Sequence, residues 1–362
     1  MEEKNKKSFS KKGRTIVIAS LFVLFFSGAG LYYYIFSPDW SWLKFGADKN
    51  VDQTASVGNA SSSPAVPENI CVNCQPRWLD GVAVPAEKAA AFPVAIMIDN
   101  DVLARPQAGL SQASLVFEAP VEGGMTRYLA IFPADADLAA VGPVRSARPY
   151  FVSWAEELHA LYIHCGGSQE ALAQLKKASL YDLNEFYNSR YFWRENSGRT
   201  APHNLLTSGD NWRSYLNERG LAEDKAAAWL FKEEGEHASS SPDINLRFSD
   251  NFRALWRYQA ATNDYQRFFN GDKGRDEGAD IKAKNIIIHY LDSQIVDDYG
   301  RLRLGVTGNG RAKICLDGVC QPGVWKKSGS ERTRYYYADG EEVKFNPGIT
   351  WIEVADENTA VD

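Results

Sequence analysis

The chain has 362 residues and a formal net charge of −6, with 44% apolar and 24% charged residues. That composition is globular and supports one large or two medium domains with sizeable cores. Nothing in the charge balance points to nucleic acid, because the basic residues form no stripe outside the extreme N-terminus.

Residues 1–14 form a basic stub carrying Lys4, Lys6, Lys7, Lys11, Lys12 and Arg14. Residues 15–36 follow with no charged side chain. At about 1.5 Å rise per residue, such a run crosses a hydrocarbon layer of roughly 30 Å. Tyr32, Tyr33, Tyr34, Trp40 and Trp42 supply an aromatic belt at its far end. The expectation is one N-terminal transmembrane helix acting as a signal anchor. The stub stays in the cytoplasm and the C-terminal bulk is extracytoplasmic, so the protein is single-pass in the cell membrane. A cleaved secretory signal is the competing reading, with Ser27–Gly30 as the small residues a protease would need. No lipobox cysteine is present, and the apolar run is long for a secretory signal. Residues 37–74 read as an extracytoplasmic spacer, and 44–68 are rich in Asp, Asn, Ser, Ala and Pro.

From residue 75 to 225 strands and helices alternate, which predicts an α/β or α+β domain. Pro93–Ile98 is a continuous apolar run, as in a strand buried on both faces, and Asp99-Asn100-Asp101 closes it. Leu115–Phe117 and Tyr128–Phe132 read as two further strands with Gly123-Gly124 as the turn between them. Residues 149–160 have helical spacing. Leu161–Cys165 reads as a strand, and Ser168 caps a helix over 169–178. Asp210 is expected to cap a helix that ends at Gly220. Residues 226–355 predict an antiparallel β domain, with strand-like segments at 243–248, 254–259, 265–269, 284–291, 301–306, 311–316 and 333–338. Asn270-Gly271, Asn309-Gly310, Asp317-Gly318 and Asp339-Gly340 are expected as turns. These strands could equally extend the sheet of the first half. Residues 356–362 are a tail.

Four of the five cysteines fall in close pairs. Asp317-Gly318 as a two-residue turn sets Cys315 opposite Cys320, within reach of a disulfide. Cys71 and Cys74 read as a local disulfide outside the cell; half a zinc site is the weaker alternative, since no second pair completes it. Cys165 reads as a small buried residue.

Polar residues gather at the ends of the first-half strands, where ligand sites of α/β folds lie. Asp99, Asn100 and Arg105 follow the first strand. Glu118, Glu122 and Arg127 bracket the double glycine. Arg145 and Arg148 follow, then His164, Gly166, Gly167 and Ser168, and finally His203 and Asn204. Gly166-Gly167-Ser168 before a helix offers backbone N–H groups to an anion, and the two arginines could add bidentate contacts. The plainer readings are a loop with a cap, and arginines paired to carboxylates. Glu118, Glu122, His164 and His203 are the candidate catalytic acids and bases. No hydrolase signature, metal-ligand spacing or cofactor motif is present, so no metal and no cofactor are expected.

The segments VAIMIDND (94–101), ARPQAGLSQASLVFEAPVEGGMTRYLAIF (104–132), VGPVRSARPYF (141–151), IHCGGSQEAL (163–172) and APHNLLTS (201–208) resemble the N-terminal domain of the YerB family of bacterial envelope lipoproteins. GRLRLGVTGNGRAKICLDG (300–318), GVWKKSG (323–329) and NPGITWIEV (346–354) are similar to that family's C-terminal β domain. The resemblance covers residues 75–355 and departs at the anchor, where an apolar span replaces a lipidated cysteine. It implies location and architecture, and no reaction. Two functions follow as expectations: binding or hydrolysis of an anionic cell-envelope component, or a non-catalytic adaptor that holds protein partners at the membrane surface.

Overall fold

The computed structural model describes residues 73–362, apart from 197 and 222–226. The basic stub, the expected span over 15–36 and nearly all of the spacer lie outside the described residues. Among the described residues, no helix is long and apolar enough to cross a membrane.

Thirteen strands and three helices carry the fold. In the first half these are β1 (Pro93–Asp99), β2 (Leu115–Pro120), β3 (Thr126–Pro133), α1 (Pro149–Glu156), β4 (Leu161–His164), α2 (Gln169–Leu175), β5 (Tyr181–Asn184) and α3 (Gly209–Glu218). In the second they are β6 (Ile244–Arg247), β7 (Arg253–Gln259), β8 (Asp264–Phe269), β9 (Asn285–Tyr290), β10 (Gly308–Leu316), β11 (Val319–Lys327), β12 (Arg334–Tyr337) and β13 (Thr350–Ala355). A ten-stranded sheet runs in the order β12-β11-β10-β9-β13-β2-β3-β1-β4-β5. It crosses the expected boundary near residue 225, because β13 pairs in parallel with both β9 and β2. The N-terminal region is therefore a mixed fold with a large sheet and few helices, and the C-terminal region is largely antiparallel β.

Alternation explains why both sheet faces are covered. Val94, Ile96 and Ile98 point to one side, against Trp212 of α3 and against Trp256 and Tyr265 of a second, six-stranded sheet. That sheet contains β6, β7 and β8. Ala95 and Met97 point to the other side, against Phe151, Trp154 and Leu158. Phe117 stacks on Trp154 with ring centroids 4.7 Å apart.

Some elements end differently from expectation. The helix predicted over 149–160 stops at Glu156, and that over 169–178 at Leu175. Ser208, not Asp210, caps α3, because its side chain accepts the Asn211 N–H. Asn309-Gly310 is no turn: both residues pair inside the β10–β11 ladder, where Gly310 makes room for the Trp325 indole. Asp317-Gly318 does turn the hairpin, with positive φ at both residues. Cys315 lies opposite Cys320 and the two form a disulfide, with Cα atoms 4.0 Å apart. Cys74 is also disulfide-bonded, while Cys71 lies outside the described residues.

Candidate functional site

β1, β2, β4 and β13 run in one direction, and β3 returns between β2 and β1. Their carboxyl ends meet the amino end of β3 at one edge of the sheet. The topology thus gathers the expected polar residues, and three charge networks form there.

The first network closes β1. Asp99 is buried, and its Oδ2 lies 2.8 Å from Arg145 Nε and 2.9 Å from His203 Nδ1. The Arg145 contact is an ion pair without a directed hydrogen bond, since Nε finds no acceptor in line. Asp99 Oδ1 accepts the Asp101 N–H at 3.1 Å. Asn204 braces the loop that carries His203: its Nδ2 donates to the Glu195 and Arg199 carbonyls at 3.1 and 3.2 Å.

The second network is deeper. Glu118 is fully buried, and its Oε1 accepts from Thr126 Oγ1 at 2.6 Å and Asn100 Nδ2 at 3.1 Å. Asn100 Oδ1 in turn accepts Arg105 Nε at 3.0 Å. Arg105 lies over the Phe269 ring, 3.3 Å from its centroid. Arg267, from β8, donates to Glu118 Oε2 at 2.5 Å and to Glu353 Oε1 at 2.7 Å. Glu353 stands next to Glu118 in the β13–β2 register and accepts the Trp256 indole N–H at 2.7 Å. One guanidinium cannot neutralise two carboxylates in a dry site. Burial, reinforced by the Glu118 charge, pushes the Glu353 carboxyl up to about 8. The same surroundings push the Arg267 guanidinium up: burial opposes its charge, but Glu118 and Glu353 outweigh it.

In the third network Arg148 grips Glu122 with two guanidinium nitrogens, Nε donating at 3.0 Å. Burial works against the Glu122 carboxylate, yet the Arg148 hydrogen bonds and the nearby Arg127 charge hold it down at about 2. Arg127 donates to the Ser146 carbonyl at 2.8 Å.

The strand-to-helix segment at 164–168 is also closed. His164 is fully buried, with Nδ1 2.7 Å from the Gly166 carbonyl and Nε2 2.8 Å from Asp182 Oδ1. The Gly166 N–H donates to Asn184 Oδ1, the Ser168 N–H to the Ala147 carbonyl, and Ser168 Oγ accepts the Ala171 N–H. The glycines serve packing: a Cβ on Gly167 would come within 3.0 Å of the Ala147 Cβ. Backbone donors that the sequence offered to an anion are therefore largely spent on neighbouring segments of the same chain. The Cys165 thiol donates to Glu185 Oε2 at 3.4 Å, and burial, with the Glu185 charge, pushes it up to about 11. A thiol held so far above neutrality is no nucleophile.

Arg148 and Ser168 do line an open cleft of about 390 Å³ with Arg301 and Arg303. Each of its arginines already faces a carboxylate, however: Glu122, Asp297 and Glu170. Neither His164 nor His203 lines this cleft or the four others described on the surface. Sequence reasoning missed Arg267, Glu353 and Asp182. A charged residue alone in an apolar strand was the available signal, as in ITWIEV and YQRFF.

Two family models match the chain: the N-terminal domain of a protein of unknown function (DUF3048) over residues 79–222, and the C-terminal domain of the same family over 244–352. The chain is 29% identical over 284 residues to the putative lipoprotein YerB of Bacillus subtilis (strain 168), covering 76% of this chain and 85% of that one. The crystal structure of the YerB protein from Bacillus subtilis superposes with a TM-score of 0.72 at 28% identity, covering 80% of this chain and 99% of that chain. The shared sheet, the two matched domains and the length of the alignment agree, and the chain belongs to the YerB-like family defined by the DUF3048 N- and C-terminal domains.

Proposed function

We propose that the protein is a membrane-tethered, extracytoplasmic adaptor whose strand-end residues build a rigid platform and not an active centre. One observation carries this reading. Asp99, Glu118, Glu122 and His164 are each closed by partners within the chain, and His203 is tied to Asp99. A general acid or base must instead reach a bound substrate. The uncharged span at 15–36 with its basic flank, together with a relative named as a putative lipoprotein, supports display of the folded part outside the membrane. Phe186 and Tyr187, 67% and 84% exposed, stand beside the edge strand β5 and offer a surface for a protein partner.

A double-mutant cycle on Glu122 and Arg148 tests the platform. Alanine at either position should lower stability, with a coupling of about 1–3 kcal/mol in urea unfolding, because each change strands a partly buried charge. If both variants keep wild-type stability yet lose binding to purified envelope fractions, the residues serve a ligand and the platform reading fails.

A further inference from the structure

We propose that the cleft at the outer end of the C-terminal hairpin binds a hydroxylated oxyanion, the chemistry of a sugar phosphate or a uronate. The site uses no residue of the strand-end networks, so it goes beyond the adaptor reading and does not depend on it. The cleft has a volume of about 720 Å³. Asn309 pairs with Lys326 across the β10–β11 ladder, and Lys326 with Arg334 across β11–β12. Directly paired residues share a face, so the three side chains form a row across adjacent strands. The 328–332 loop completes the wall with Ser328, Ser330 and Arg332.

The charges here do not close. Lys327 is matched by Glu157 at 2.6 Å and Arg334 by Glu342 at 2.5 Å. Lys326 is exposed and, among the described residues, has the Tyr336 ring as its partner, 4.6 Å from its ammonium. Arg332 is 4% exposed, and all three of its guanidinium nitrogens lack a hydrogen-bond partner among the described residues. No other buried arginine among the described residues is left so completely without one. Its guanidinium lies 4.1 Å from the Trp229 ring centroid and 5.9 Å from that of Trp78. Those contacts satisfy the flat faces and leave the N–H edges unused. A buried cation without an acceptor is costly, and an oxyanion is the group whose geometry matches a guanidinium fork. Glu157 is its Coulombic partner, but with no hydrogen bond to hold it the guanidinium charge behind a low-dielectric wall still projects its field into the cleft.

The second half of the ligand's chemistry comes from Glu157. One of its oxygens, Oε2, accepts from Lys327 and from Thr333, but Oε1 is buried with no donor. Unused donors and an unused acceptor thus lie just beneath the same wall, within reach of a ligand once these side chains turn toward it. A bare phosphate answers only the first. An anion that also carries hydroxyl groups answers both.

The full-length protein in detergent is titrated with inorganic phosphate, glucose 6-phosphate, glucuronate, neutral glucose and polygalacturonate, reading the unfolding temperature. The hydroxylated anions should raise Tm by about 3 °C at ten times their dissociation constant, and less as salt is added. Phosphate should act more weakly, and glucose not at all. Arg332→Met should abolish the shift and Lys326→Gln should weaken binding about tenfold; Lys326 is at the surface, so that variant decides even if the other fails to fold. A response to polygalacturonate without one to the monomers supports the site and assigns its ligand to a polymer. No shift with any anion, an equal shift with glucose, or an unchanged shift in Lys326→Gln overturns the proposal.

Discussion

The sheet edge at the ends of β1 and β2 and the far end of the C-terminal hairpin are both rich in buried charge, yet they are finished differently. At the sheet edge every acid is tied to a cation, although Glu118 and Glu353 share one. Glu122 takes Arg148, Asp99 takes Arg145 and His203, and Glu118 shares Arg267 with Glu353. At the hairpin end Lys327 closes with Glu157 and Arg334 with Glu342, while Arg332 beside them has no hydrogen bond. Buried ionic groups that are fully satisfied hold a fold in one arrangement; those left open wait for something else. Both places combine buried carboxylates with buried cations, and they differ in closure.

The largest effect should come from opening the closed region. Arg267→Met leaves Glu118 and Glu353 beside each other in the interior with no cation hydrogen-bonded to either. The expected loss is about 4 kcal/mol in urea unfolding, the usual size when one partner of a buried pair is removed. The two halves of the chain meet at this residue, since Arg267 reaches from β8 to β2 and β13. A loss below about 1 kcal/mol would mean that the network is decorative and the comparison has no basis.

Acidity sharpens the contrast next. Glu353 ionises near 4.5 in an unfolded chain and at about 8 in the fold. Between those values the folded protein keeps a proton that the unfolded chain has released. The stabilisation is complete below the lower value and is withdrawn as pH rises through the upper one, with a slope of at most about 1.4 kcal/mol per pH unit. Glu122 behaves oppositely: its carboxyl is held at about 2, so its contribution is present above 4.5 and lost as pH falls toward 2. Glu353→Gln should flatten the alkaline limb of a Tm–pH profile and spare the acid limb. The glutamine oxygen can still accept from Trp256 and Arg267, and its amide fills the position of Oε2, which has no donor. An unchanged alkaline limb would remove Glu353 as its cause.

Local chemistry made much of this legible from sequence. β1 announced itself as an apolar run with Asp99 at its end, and the Asp317-Gly318 turn set the Cys315–Cys320 bridge. Glu118, Glu122 and the arginines were recognisable as a polar set because they flank strand ends. Their partners were not, because Arg267 and Glu353 lie in remote strands whose pairing leaves no local mark. β13 has no turn linking it to β9 or β2; it is placed by parallel pairing across long stretches of chain. The segment at 164–168 misled for a related reason. Free backbone donors at a glycine pair depend on what packs against them, and the Asn184 side chain and Ala147 carbonyl that take the Gly166 and Ser168 N–H groups come from elsewhere.

The smallest effect should come from the open region, and it bears most directly on the comparison. Arg332→Met removes a cation that has no hydrogen bond to lose. Methionine can fill much the same volume beside Trp229 and Trp78, and its thioether packs well on aromatic rings. What disappears is a cation–π contact of about 1–2 kcal/mol and a desolvation penalty of opposite sign. Stability should therefore move by less than about 1 kcal/mol in either direction, far less than for Arg267→Met. Two buried arginines, each flanked by tryptophans, would then differ fourfold or more in structural value. A loss for Arg332→Met as large as that for Arg267→Met would mean that Arg332 is closed after all, through water to Glu157 Oε1, and the hairpin end would join the sheet edge as scaffold.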